Sequence, residues 1–171
     1  RSASGYTRIP RRDEELLEAS EEETQTTPPS HTEMWLLKLI LLNDELADWA
    51  AIHFEPVWIQ HALVREIVAR RLESARAQTW TSLAAFADEC AEQPAMQSMI
   101  TAASTQDRAI PNPEKQLADL SLKMRNQHID LQVGELLRQI NQPTTSEEQK
   151  VALLRQQAEL RAMKKAPLES M

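Results

Sequence analysis

The sequence predicts an all-α protein: a helical bundle subdomain joined by a long helix to a C-terminal helical hairpin. Three observations predict it. There are two glycines in 171 residues and a hydrophobic fraction of 42%, which suits helices, because glycine and proline weaken them most. No run alternates apolar and polar residues with the β-branched enrichment of a strand. Between Pro113 and Asn141, a helical pattern carries its apolar residues on one side early and on the opposite side late.

The elements follow in chain order. Residues 1–30 offer little to a core. Arg8, Arg11 and Arg12 precede an acidic block of Asp13, Glu14, Glu15, Glu18, Glu21, Glu22 and Glu23, then Thr26-Thr27-Pro28-Pro29. Low hydrophobicity with charge blocks and prolines predicts a disordered linker, a solvated tether rather than a nucleic-acid contact. Leu16-Leu17 can nucleate one helical turn at most. Order is expected from residue 31, with the bundle subdomain covering 31–128.

Ser30-His31-Thr32-Glu33 is a capping box opening Met34-Trp35-Leu36-Leu37-Lys38-Leu39-Ile40-Leu41-Leu42. Only Lys38 interrupts the apolar run, so this helix should be central and buried on most sides. A short helix follows from Asp44 to about Ile52, with Leu46, Trp49 and Ala50 inward. Pro56 suits a first helical position, predicting a helix to about Ala75 with Val57, Trp58, Leu63, Ile67, Val68 and Leu72 packed. On that helix Arg65, Arg70, Arg71 and Arg76 form a basic rim interleaved with Glu66 and Glu73, a pattern of a solvated mixed face. Ser82–Glu92 and Pro94–Ala103 read as two more helices, and Gln106–Asn112 as a loop broken by Pro111.

The long helix is next. Leu117, Leu120, Met124 and Leu131 share one face; Ile129, Val133, Leu136 and Ile140 lie roughly opposite, with Leu137 beside them. Such a helix is a strut between two packed units, spanning about 43 Å. Gly134 inside it costs about 1 kcal/mol relative to alanine and reads either as a hinge between the units or as a tolerated surface glycine. Asn141-Gln142-Pro143 ends the strut. Thr145 or Ser146, with Glu148 or Gln149 three residues on, caps a last helix, whose Lys164 and Lys165 suit its negative end. Pro167 closes it. Residues 129–166 thus form the hairpin and 167–171 a tail.

The last helix carries two apolar stripes. Val151, Leu154, Ala158 and Ala162 form one; Leu153, Leu160 and Met163 lie nearly opposite. A two-helix hairpin buries only one stripe, so Leu153 and Leu160 either fold back on their own chain or meet a partner.

The net charge of -7 gives no bulk support for binding a phosphate backbone. Cys90 is the single cysteine, which excludes an internal disulfide and a cysteine-rich zinc site, fits a reducing compartment, and reads as buried packing. No apolar run spans a membrane and no signal peptide is visible. A first residue of Arg1 rather than methionine leads us to expect a fragment, monomeric, of a longer cytoplasmic protein. His53 and His61, near Glu55 and Glu66, lack Glu-x-x-His or His-Glu-x-x-His spacing, and there is no glycine-rich phosphate loop. We therefore expect no catalytic residue, cofactor or metal.

Leu36-Leu37-Lys38-Leu39-Ile40-Leu41-Leu42-Asn43-Asp44-Glu45-Leu46-Ala47 resembles the opening of the C-terminal, helicase-binding domain of bacterial DnaG-type primases. There a leucine-rich helix runs into a Pro-Glu-Leu-Ala-like second helix; here Asp44 replaces the common proline. The resemblance covers roughly residues 32–165, a pattern of helices and apolar spacing rather than a sharp motif. It implies a bundle plus hairpin that binds the N-terminal domains of the hexameric replicative helicase. Such a domain recruits primase to the replication fork and modulates the helicase without itself making primer; the parent chain would be a DNA-directed RNA polymerase. It implies partner contacts on the last helix, which face geometry narrows to Leu153, Gln156, Gln157, Leu160, Met163 and Lys164. The rival readings are a replicative helicase's own N-terminal domain, an unrelated helical adaptor or scaffold, and an enzyme built on His53 and His61.

Overall fold

The computed structural model describes residues 27–105 and 110–168. Seven α-helices run through them: α1 (His31–Leu42), α2 (Asp44–His53), α3 (Ala62–Ala77), α4 (Leu83–Glu89), α5 (Pro94–Ser104), α6 (Pro113–Ile140) and α7 (Glu147–Lys165), with a 3-10 turn at Pro56–Trp58. No strand occurs among the described residues. Most of the expected linker, residues 1–26, lies outside them, as do 106–109 of the expected loop and 169–171 of the tail.

α1 is the centre. The Ser30 hydroxyl accepts from the Glu33 N–H at 3.2 Å, and the Glu33 carboxylate accepts from the Ser30 N–H at 2.9 Å. Leu36, Leu37, Leu39, Ile40 and Leu41 are all but fully buried, each contributing about 1.5–3 kcal/mol by leaving water. Burial around most of the circumference follows from packing against α2, α3, α5 and α6. Asn43 then ends α1 and caps α2, its side-chain oxygen accepting from the Leu46 N–H at 3.2 Å. Leu46, Trp49 and Ala50 face inward, as their spacing predicts.

The continuous helix expected from Pro56 does not form. Pro56 opens only the 3-10 turn, Val57 is exposed rather than packed, and α3 begins afresh at Ala62. The cause is Glu33. One of its carboxylate oxygens accepts from the Gln60 and His61 N–H groups at 2.9 and 2.8 Å, amides that an uninterrupted helix would direct at its own carbonyls. His61 caps α3 instead, its Nδ1 accepting from the Val64 N–H at 3.3 Å. Ile67, Val68 and Leu72 are buried as expected.

The solvated basic rim of α3 is corrected at Arg71. Arg65 donates to the carbonyls of Ile59 and Gln60, Arg70 to Glu66, and Arg76 to the Ala51 carbonyl. Arg71, expected on a solvated face, is 1% exposed, pairs with Asp44 at 2.7 Å and lies 3.6 Å from the centre of the Trp80 ring. α4 ends at Glu89, short of the expected Glu92. Phe86, Cys90, Met96, Ile100 and Ala103 complete the core from α4 and α5. Burial pushes the Cys90 thiol up, which keeps it protonated and inert.

The strut does change sides. Leu117 and Met124 join the core and Leu120 packs against it, while the Trp35 indole N–H donates to Gln116 at 2.5 Å. Ile129 is buried yet lies outside that contiguous core. From there Val133, Leu136 and Ile140 are half-buried on the side where α7 runs, α6 being the helix α7 chiefly packs against. Leu131 continues the body-facing stripe at the rim of a cleft shared with Thr32, Trp58 and Gln60 and is 59% exposed.

Candidate functional site

α6 and α7 form an antiparallel pair whose turn is fixed from both sides. The Thr145 hydroxyl donates to the Gln139 carbonyl at 2.7 Å. Of the two expected capping pairs, Ser146 with Gln149 is the one used. At the other end, Lys164 meets Asp130 at 2.6 Å and Arg125 donates to the Ala166 carbonyl at 2.6 Å. The returning chain then lays Leu168 against the core.

Spacing along α7 decides which residues face α6. Lys150, Leu153, Gln157, Leu160 and Lys164 are its shielded row, at i, i+3 and i+4 intervals. Val151, Leu154 and Met163 are 50%, 49% and 55% exposed. The face geometry behind the expected contact set is thereby corrected. Leu153, Gln157, Leu160 and Lys164 turn toward α6 and its Ile129–Val133–Leu136–Ile140 row. Gln156 and Met163 stay exposed.

The seam between the helices is polar in part. Gln157 is 7% exposed, and its Nε2 finds no acceptor among the described residues; the Arg125 Nε is equally without one. Beside the seam runs a groove of about 370 Å³ whose apolar wall is Leu136, Leu160 and Met163, with Gln156, Glu135 and Glu159 along its edges. Three of the six expected contact residues therefore border one concave surface. Sequence reasoning missed the contribution of α6 to it, Leu136 and Glu135; the signal was that Leu136 belongs to the stripe that faces α7 and Glu135 flanks it.

Gly134 lies within α6, is exposed, and has no positive φ. A Cβ built there meets nothing within 4 Å, so neither close approach nor unusual backbone requires a glycine.

Three of the four histidines have local partners. His61 caps α3, His53 packs its ring 4.9 Å from that of Trp49, and His31 stacks on Trp35 at 5.9 Å. Among the described residues no group of three or more His, Cys, Asp or Glu side chains is arranged to hold a metal ion. No described helix is long and apolar enough to cross a membrane. Comparison with known proteins finds no matching family model, curated protein or solved structure.

Proposed function

We propose that this chain is a non-catalytic interaction domain that docks a partner protein through the α6–α7 pair. One observation carries the reading. Of the eight exposed large apolar side chains among the described residues, Leu131, Leu137, Val151, Leu154 and Met163 belong to these two helices. Apolar surface concentrated on one pair of helices is a mark of a protein–protein contact. The resemblance to the helicase-binding domain of DnaG-type primases names the partner: the N-terminal domains of the hexameric replicative helicase. Through it the parent primase is recruited to the fork and the helicase is modulated. The contact surface is the groove bordered by Gln156, Leu160 and Met163, and direct nucleic-acid binding is not part of it.

The test is titration of the chain against the hexameric helicase. Point variants are preferable to removing α7, because Leu168 packs on the core. Gln156→Lys with Met163→Asp, both at exposed positions, should weaken binding roughly tenfold or more while leaving the helical circular-dichroism signal unchanged. Unaltered affinity would overturn the assignment.

A further inference from the structure

A further concave surface lies on the body, between the first turn of α3 and the outward side of α5. It encloses about 900 Å³, and its apolar lining includes Met34, Leu63, Met96, Met99 and Ala102. We propose that this groove docks Leu16-Leu17 of the chain's own N-terminal segment, anchoring at one point the tether that precedes the bundle.

Connectivity carries the argument. Thr27, Pro28 and Pro29 are part of the groove's own wall, so residues 1–26, which lie outside the described ones, join the structure at the groove. Leu17 and Thr27 are ten residues apart, about 33 Å of extended chain. α5, with its 11 residues, is only about 16 Å long, so every point of the groove is within reach. A segment tethered this way meets its site at an effective concentration on the order of millimolar. A contact of two side chains then suffices, and a free partner would have to displace it.

The chemistry of the groove selects the leucines. Three thioethers line it, Met34 and Met99 half-buried and Met96 buried, and such side chains adapt to an incoming aliphatic group. Within residues 1–26, Leu16 and Leu17 are the one adjacent pair of large apolar side chains. Their flanks agree with the rim. α5 contains no charged residue, and Gln93 gives its first turn no side-chain cap, so the Ala95 and Met96 N–H groups have no partner within the helix. Negative charge is favoured there, and Glu14, Glu15 and Glu18 bracket the leucines. The one carboxylate of the lining, Glu66, is already paired with Arg70 at 2.5 Å. Tyr6 and Ile9, the other large apolar residues of the segment, sit among Arg8, Arg11 and Arg12, cations that an uncapped helix N-terminus disfavours.

The test uses the whole chain with isotope-labelled methionine methyl groups, followed by NMR. Leu16→Asp with Leu17→Asp should shift the Met34, Met96 and Met99 signals and leave those of Met124 and Met163, which do not line the groove, unmoved. Ala102→Glu, at an exposed position of the lining, should make cleavage after Glu18 by a glutamate-specific protease roughly tenfold faster with helicity retained, because undocking frees the segment. Methionine signals that ignore the double substitution, or cleavage unchanged by Ala102→Glu, would overturn the proposal. So would shifts that vanish on dilution, since a second copy would then be supplying the leucines. Helicase titration reads the α6–α7 groove, which none of these substitutions touches, so the two proposals fail separately.

Discussion

Lys164 holds both carboxylate oxygens of Asp130, at 2.6 and 2.8 Å, across 34 positions of sequence. The contact joins the last turn of α7 to the middle of α6, beside a cleft that Asp130 shares with Thr32 and Trp58. Both side chains keep substantial exposure, 40% and 60%, so water and salt screen the pair. A double-mutant cycle of Asp130→Ala and Lys164→Ala, read by urea unfolding, should give a coupling of about 0.5 kcal/mol that fades in high salt. A coupling several times larger and indifferent to salt would mean that the pair is shielded in solution.

The two leucine rows of α7 should respond differently to truncation. Leu160 is half-buried against α6 and Leu154 faces outward. Leu160→Ala should destabilise the chain by about 1–2 kcal/mol, below the range for a fully buried leucine. Leu154→Ala should stay within about 0.5 kcal/mol. Thermal unfolding of the two variants is the measurement, and equal losses would contradict the orientation of α7 described above.

These rows also show where sequence reading succeeds and where it stops. Helix periodicity places Leu153 and Leu160 on one side and Val151 and Leu154 on the other, and places Ile129, Val133, Leu136 and Ile140 opposite Leu117 and Met124. It does not say which row of α7 a neighbour covers, because both have enough apolar character to serve. The α6 row decides, and that is a tertiary fact. The break before α3 was hidden for a related reason. Pro56 is a sound helix start by local chemistry, but the Glu33 carboxylate, 27 positions earlier, captures the amides such a helix needs. Arg71 looked solvated beside Glu73 until Trp80 and Asp44 closed over it. Local signals fixed helix identity and caps; long-range polar contacts settled the boundaries and the faces.

Glu33 is accordingly the side chain whose protonation should matter most. Burial alone would raise its pKa, but the N–H groups of His61, Ser30 and Gln60 and the Ser30 hydroxyl outweigh that and hold it below the usual carboxylate range. The folded chain therefore keeps this carboxylate ionised at a pH where the unfolded chain has begun to take up the proton. Its stabilisation is complete above the unfolded value, about 4.3, and is lost as pH falls through the folded one. Glu33→Gln should cost about 1–3 kcal/mol at pH 7, and its deficit against the unsubstituted chain should shrink in acid. Urea unfolding of both at pH 7 and in the acid range checks the sign; a deficit that grows in acid would refute it.

Gly134 supplies the sharpest test of whether the strut bends. Its φ is not positive and a Cβ there meets nothing within 4 Å, so alanine fits without strain. Relief of the glycine's extra chain entropy should then stabilise the protein by up to about 1 kcal/mol in Gly134→Ala. If α6 works as a rigid strut, the same substitution leaves partner affinity unchanged and slows amide exchange only slightly around Asp130 to Glu135. If Gly134 is a hinge, those amides exchange much faster than the flanking turns in the unsubstituted chain, and alanine both protects them and alters affinity. Hydrogen exchange on the two chains, with and without the partner, separates the outcomes.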